Sequence, residues 1–305
     1  MGYGCALLSA LLFGANGSVA KVVLGAGITA GQLTLFRSLS AAVVGGALLL
    51  ATNRSALRVS RRELVSLAAL GIVGVAMVQW LYALALGRLP VGIALLIEYT
   101  AVLMVAVVAR VFFAEAVRPR LWLAIGCVLV GLAAVAQIWS SDLALAGVAV
   151  AGLAAVAFTA YLLLGERLVT RTSALASAFW SMLFATLFWA LFSDWWQIDP
   201  HVLAQRVSLG GHLSGTVVPV WVLLCYVMAL GSFVPFLLSF IALGRLKATP
   251  AGIVATTEVV FAFTVAWLWL GEALNTPQLI GGLVVLAGVA VAQTARKPVA
   301  VAIAD

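Results

Sequence analysis

Two glutamates of this chain lie inside long runs of apolar residues, where an ionisable side chain is expensive. Glu98 lies in the run that begins at Val91, and Glu258 lies in the run that begins at Ala251. A charge at the middle of a bilayer costs about 2.5–3.5 kcal/mol on insertion scales, and desolvation favours the uncharged acid. Proton carriage is therefore one role for these acids. Direct substrate contact, or hydrogen bonds that hold helices together, are the alternatives.

Arg37 is the third costly residue, in the middle of another apolar run. At 1.5 Å per helical residue it lies about 9 Å from one membrane surface, and Glu98 lies about 12 Å from the same surface. This similarity of depth predicts that Arg37 pairs with Glu98. The alternatives are a purely structural ion pair and an arginine that snorkels to the interface.

A cation and two acids at membrane depth suit a zwitterionic substrate. Arg37 would hold a carboxylate, a glutamate would face an ammonium group, and amide or aromatic groups would shape the rest of the pocket. Each of these further groups could equally be packing or interhelical contact. The candidates are Asn16, Gln79, Trp80, Tyr99, Tyr161 and Trp180.

Composition indicates that these residues are positioned by membrane helices. Hydrophobic residues make up 65% of the 305 and charged residues 9%, against roughly 45–50% and about 25% in soluble domains. The net charge of +7 comes from short basic clusters between apolar runs, which is typical of orientation signals and excludes a nucleic-acid face. The three cysteines have no metal-ligand spacing, so neither a metal site nor a cofactor is expected.

The sequence predicts an all-α integral membrane protein with ten transmembrane helices. Lys and Arg are concentrated in the loops that share a side with the N-terminus, so both termini are predicted to be cytoplasmic in a bacterial-type plasma membrane. Arg88, Arg206 and Lys21 fall on the outer side. The predicted spans are Gly2–Leu24, Gln32–Ala51, Leu64–Leu86, Val91–Phe113, Leu121–Trp139, Leu145–Gly165, Ala174–Asp194, Val217–Leu243, Ala251–Leu270 and Gln278–Gln293.

The chain repeats itself. The Gly-Arg-Leu at residue 87 recurs at 244, a distance of 244 − 87 = 157, and Glu98 and Glu258 are 258 − 98 = 160 apart. Glu115 and Glu272 also correspond, at span ends where capping or a salt bridge is expected. The prediction is two five-helix repeats, residues 1–142 (the first half) and 143–305 (the second half), inverted because five is odd.

The two halves differ at the position of Arg37. The counterpart of Arg37 in the second half is Trp180. If Arg37 keeps Glu98 ionised, Glu258 is freer to take up a proton. The sequence therefore predicts that Glu258→Gln disturbs pH dependence more than Glu98→Gln.

Ten short spans in two halves, each with a mid-span Glu and a later Ala114-Glu115 or Gly271-Glu272, resemble the EamA branch of the drug/metabolite transporter (DMT) superfamily. Residues 88–94 followed by Glu98-Tyr99-Thr100 are also similar to threonine/homoserine exporters. The resemblance implies transport of amino acids or other small polar metabolites, commonly outward. Many members place proline after the mid-span Glu, whereas Tyr99 and Val259 stand there here, so a helix break is left open.

Together these features favour a secondary transporter that exports small polar metabolites, of the amino acid class, by proton antiport with alternating access. Its partners would be the metabolite, protons and membrane lipids, with no nucleic acid. A passive facilitator and a flippase or carrier of lipid-linked substrates are the alternatives. Enzyme function is not expected, because the sequence contains no Ser/His/Asp set, His-rich cluster or P-loop.

Overall fold

The computed structural model describes residues 2–112, 119–136, 145–169, 172–243 and 254–295, which are predominantly helical. Seven helices of these residues are long and apolar enough to cross a membrane, and three further apolar helices are shorter. Each of the ten predicted spans overlaps one of these helices, and the number of membrane crossings stays a prediction.

The long helices are labelled in chain order, and several contain an internal irregularity. The helices are α1 (Gly2–Gly25), α2 (Ala30–Thr52), α3 (Arg61–Leu86), α4 (Val91–Phe112), α5 (Arg120–Ala136), α6 (Leu145–Val169), α7 (Ala174–Phe192), α8 (Val220–Met228, continuing through Val234–Leu243), α9 (Thr257–Leu270) and α10 (Thr276–Ala295).

Local sequence explains where some of these helices begin. Thr29 and Gln32 form a capping box at the start of α2, and Ser60 and Glu63 form another at the start of α3. In each box two orphan backbone N–H groups are satisfied by side chains. Large apolar side chains such as Val43 and Trp122 remain exposed on the helix surfaces, as expected for faces that contact lipid.

Two helices contain a π-helical turn in the middle, Leu70–Ala76 in α3 and Ala229–Phe233 in α8. The two turns occupy corresponding positions in the predicted repeats. The turn in α3 packs against α6 and α7, and the turn in α8 packs against α1 and α2. Such turns are frequent at functional sites because they leave backbone groups without their usual helical partners.

Helix packing pairs elements that correspond between the halves. α5 packs against α10 and α2 packs against α7. α1 packs against α9 as α6 packs against α4, and α1 contacts α8 as α6 contacts α3. Glycines permit the closest approach: a Cβ at Gly131 would lie 2.7 Å from the Gly281 carbonyl oxygen, and one at Gly281 would lie 2.7 Å from that of Gly131.

The segment between α7 and α8 is folded. It contains an antiparallel hairpin of β1 (Arg206–Ser208) and β2 (Val217–Pro219). The predicted span Val217–Leu243 is therefore wrong at its start, since residues 217–219 pair with β1 and the helix begins only after Pro219. The main hydrophobic core lies where α1, α3, α4 and α9 meet, and side chains of this segment pack against it.

Candidate functional site

Glu98 is the last residue of the first α-helical segment of α4, Val91–Glu98. The helix is interrupted directly after it, where the Thr100 N–H and hydroxyl both donate to the Ile97 carbonyl. The break that the sequence left open is thus present without proline. Glu98 is 7% exposed, and its buried Oε2 has no hydrogen-bond partner among the described residues.

Glu258 lies in the first turn of the segment Thr257–Val265 of α9. The Tyr99 hydroxyl donates a hydrogen bond of 2.6 Å to Glu258 Oε2 and lies 3.4 Å from the Ala255 carbonyl oxygen. A carboxylate at a helix N-terminus is stabilised by the helix dipole, whereas one at a C-terminal end is not. The two acids therefore occupy unlike environments, and the better stabilised carboxylate is Glu258.

Arg37 projects from α2 and is 9% exposed. Its Nε donates to the Ser232 hydroxyl and its guanidinium Nη2 donates to the Gly231 carbonyl, both at 3.4 Å, in the π-helical turn of α8. The predicted direct pair with Glu98 is wrong, because the described residues contain no ion pair between them and the guanidinium turns to α8 instead. Arg37 still interacts electrostatically with Glu98 and Glu258.

Asn16 joins this group from α1. It is buried, and its Oδ1 lies without a hydrogen-bond partner in the described part of the chain. A Cβ at Gly231 would overlap the Asn16 amide, so the glycine of the π-helical turn is what admits this side chain. Tyr161 is connected to the group through an aromatic row, with ring centroids 6.0 Å apart for Tyr99 and Phe158 and 5.9 Å for Phe158 and Tyr161.

Three predicted pocket residues contact α7 instead. The Gln79 amide lies 4.0 Å from Met182 Sδ, and the Trp80 ring lies 5.5 Å from that of Trp189. Trp180, itself on α7, stacks on Phe184 with centroids 6.1 Å apart. None of these contacts is with an acid, and Trp80 also packs against the core that contains Tyr99, so a pocket role for Gln79, Trp80 and Trp180 stays a prediction.

Sequence reasoning missed Tyr82 and Ser232. Tyr82 is buried on α3, interacts electrostatically with both acids and Arg37, and its hydroxyl would lie 2.7 Å from a Cβ at Gly17. Ser232 is buried on α8 and donates to the Val227 carbonyl. Neither residue is charged at neutral pH, so a search for charged residues in apolar runs does not select them. Their contacts with α1, α2 and α8 identify them. We call Asn16, Arg37, Tyr82, Glu98, Tyr99, Ser232 and Glu258 the central polar cluster.

Of the two corresponding acids at span ends, Glu115 and Glu272, the structure describes only Glu272. Glu115 lies outside the described residues. Glu272 Oε1 forms an ion pair of 2.6 Å with Lys21 Nζ, and its Oε2 accepts a hydrogen bond of 2.8 Å from the Val91 N–H. This agrees with the expected salt bridge at a span end. Within the described residues, no group of three or more His, Cys, Asp or Glu side chains is placed to hold a metal ion.

A model of the EamA-like transporter family matches residues 1–137 and again residues 145–294, which is nearly the whole chain in two copies. The protein belongs to the EamA-like transporter family. It is accordingly a multi-pass membrane protein of a transporter family whose members carry small substrates. The central polar cluster of this EamA-family member draws residues from both matched segments.

Comparisons with other proteins add the fold alone. No curated protein matches the chain. Sixteen chains of solved structures match it. One, described only as "Crystal structure of protein", is 21% identical over 94% of each chain, with a TM-score of 0.62. The EamA-family fold is therefore shared with solved structures, whereas the resemblance to threonine/homoserine exporters stays a prediction.

Proposed function

We propose that this EamA-family protein is a secondary transporter that exports small polar metabolites of the amino acid class by proton antiport. The observation that supports this most is the meeting of two membrane-embedded acids, one from each half. Glu98 and Glu258 belong to corresponding helices, and the hydrogen bond from Tyr99 to Glu258 links those helices at the centre of the bundle. Intramembrane acids in transporters commonly mark proton or substrate pathways.

Alternating access is supported by the exchangeable packing of the halves. When α1 to α5 are exchanged with α6 to α10, the pairs α1–α9 and α6–α4 are interchanged, while α2–α7 and α5–α10 are preserved. A bundle with this property can adopt a second state in which the two halves have swapped conformations. The predicted boundary at residues 142 and 143 lies outside the described residues.

A zwitterion is the substrate class that the charges favour. Among the described residues the Arg37 side chain makes two hydrogen bonds, both 3.4 Å long, so a carboxylate could replace these weak partners at small cost. Two acids nearby are available to an ammonium group. Pairing of opposite charges would let the substrate leave water without carrying an unpaired charge into the bundle.

Flux from proteoliposomes tests this proposal. Vesicles loaded with a mixed amino acid pool are followed with and without an imposed pH gradient, for wild type, Glu98→Gln and Glu258→Gln, with Asp199→Asn in the exposed outer segment as the control. Gradient-driven efflux that is lost in either membrane variant and kept in the control supports a proton antiporter. Efflux at the same rate with and without the pH gradient indicates a passive facilitator. Absence of flux for every amino acid in the pool overturns the proposed substrate class.

A further inference from the structure

Three helices are fastened together at the end of the bundle predicted to face outside. Lys21 Nζ on α1 donates to Glu272 Oε1 at 2.6 Å and to the Leu89 carbonyl at 3.0 Å. Glu272, just beyond α9, also accepts from the Val91 N–H at 2.8 Å. We call Lys21, Glu272, Leu89 and Val91 the outer latch. Its two side chains tie the ends of α1 and α9 to the first residue of α4.

The hairpin between α7 and α8 lies over this end of α9. The Trp269 indole N–H donates to the Leu209 carbonyl at 2.9 Å, and the His212 ring lies 3.0 Å from the Leu268 carbonyl oxygen. An open depression of about 380 Å³ remains between the hairpin and α1, and both Lys21 and Glu272 line it. Lys21 and Glu272 thus lie between this depression and the buried residues Leu89 and Val91.

The latch is connected mechanically to the central polar cluster. α4 and α9 are joined at the latch through Val91 and Glu272 and at the centre through Tyr99 and Glu258. Between these links Gly92 packs directly on the Phe263 ring, with no room for a Cβ. Because α4 is interrupted after Glu98, Val91–Glu98 is a helical segment with its own two ends, one at the latch and one at the acids.

We propose that the outer latch is the outer gate of the transporter and that the structure shows it closed. This inference rests on the proposed alternating access. Opening requires the Lys21–Glu272 ion pair and the bond to the Val91 N–H to break, and the segment Val91–Glu98 then moves away from α9. Glu98 moves with that segment, so opening the gate also changes the surroundings of the acids.

Thiol labelling measures the gate without any substrate. Ser18 is fully buried on α1 and shares a helix face with Lys21, so Ser18→Cys places a near-isosteric reporter one turn inside the latch. Cys5, Cys127 and Cys225 are first replaced by serine or alanine. A membrane-impermeant thiol reagent is then added from the outside to protein in lipid vesicles.

We expect Lys21→Met and Glu272→Gln each to raise the labelling rate of the reporter by about fivefold, because loss of an ion-pair partner favours the open state. Arg88→Met is the matched control, since Arg88 lies exposed just beyond the end of α3 on the same side, and the hydrogen bond of its side chain within the described residues is to the Leu84 carbonyl. Labelling at the wild-type rate in both latch variants would overturn the proposal. Equal acceleration by Arg88→Met would do the same.

A reversible cross-link tests the gate in a single folded protein, because the same sample is measured before and after the bridge is removed. Lys21→Cys with Glu272→Cys is bridged by a short bifunctional methanethiosulfonate reagent, which a reductant removes. Reporter-free protein should lose substrate flux when bridged and regain it on reduction; unchanged flux when bridged contradicts a gate. If no amino acid is transported, the proposed substrate fails, whereas the labelling rates still decide whether the latch opens.

Discussion

The Tyr99 hydroxyl donates a hydrogen bond of 2.6 Å to Glu258 Oε2, and the residue before Tyr99 is the other membrane-embedded acid, Glu98. The Tyr99 side chain therefore links Glu258 to the residue next to Glu98, one peptide unit away. Tyr99 itself is buried, and its ring packs edge-on against Phe158. We therefore expect a change of charge at either acid to alter the surroundings of the other through Tyr99.

Tyr99→Phe removes the hydroxyl and keeps the ring contact with Phe158. A hydrogen bond to a charged group contributes about 1.5–3 kcal/mol, so we expect lower thermal stability and a proton-driven flux reduced about tenfold. Thermal unfolding in detergent and flux in vesicles measure the two effects. Tyr3→Phe, at an exposed tyrosine of α1, is the control. Wild-type flux in Tyr99→Phe would show that this bond has no part in coupling.

Glu98→Gln and Glu258→Gln should separate the roles of the acids. Glu98 Oε2 has no partner to lose in the described structure and Glu98 ends a helical segment, so a neutral amide should leave stability within about 1 kcal/mol of wild type. We expect Glu98→Gln to remove the pH dependence of transport. Glu258→Gln should mainly lower the rate.

This expectation reverses the one drawn from sequence, which relied on an Arg37–Glu98 pair. Transport rates for both variants between pH 5.5 and 8.5 decide the matter. A flat profile in Glu258→Gln together with a wild-type profile in Glu98→Gln would restore the sequence-based assignment.

The sequence identified the ionisable residues that lie within apolar helices, because the cost of burying a charge is a property of the residue and its apolar neighbours. Glu98, Glu258 and Arg37 were found in this way. Where Arg37 points was not predictable, since its partners Ser232 and Gly231 lie about 195 residues away in a π-helical turn. A π-helical turn depends on packing between helices and has no clear sequence signature. The members of the central polar cluster could therefore be identified only from the three-dimensional structure.

Arg37→Met tests whether Arg37 serves substrate or structure. Its two hydrogen bonds are long, and among the described residues it forms no ion pair with an acid, so the substitution leaves no directly paired carboxylate without its partner. We expect stability within about 1 kcal/mol of wild type together with loss of amino acid flux. Arg54→Met, at an exposed arginine that bonds the Leu50 carbonyl, is the control. A loss of about 3–5 kcal/mol in Arg37→Met would indicate a structural ion pair.

Gly231→Ala tests the π-helical turn of α8. The added methyl group would overlap the Asn16 amide, so α1 and α8 must separate. Overpacking of this kind costs about 1–3 kcal/mol, and we expect reduced thermal stability and reduced flux. Gly152→Ala on α6 meets nothing within 4 Å and should be neutral or slightly stabilising. Equal melting temperatures for the two variants would contradict the close contact at Asn16.

Trp269→Phe should loosen the hairpin that lies over the end of α9. The substitution removes the indole hydrogen bond to the Leu209 carbonyl while keeping most of the ring. The loss should let the hairpin open locally more often.

Trypsin cleavage measures this opening. Arg206 in β1 is the single Lys or Arg of residues 193–219, so trypsin can cut this segment only there. It does so when the hairpin opens locally. Loss of one hydrogen bond of about 1 kcal/mol should accelerate cleavage about fivefold. Trp196→Phe, at an exposed tryptophan whose ring packs against Trp195, should be cut at the wild-type rate. Cleavage in right-side-out vesicles and protection in inverted ones would support the predicted orientation, and the opposite pattern would reverse the side on which the latch lies.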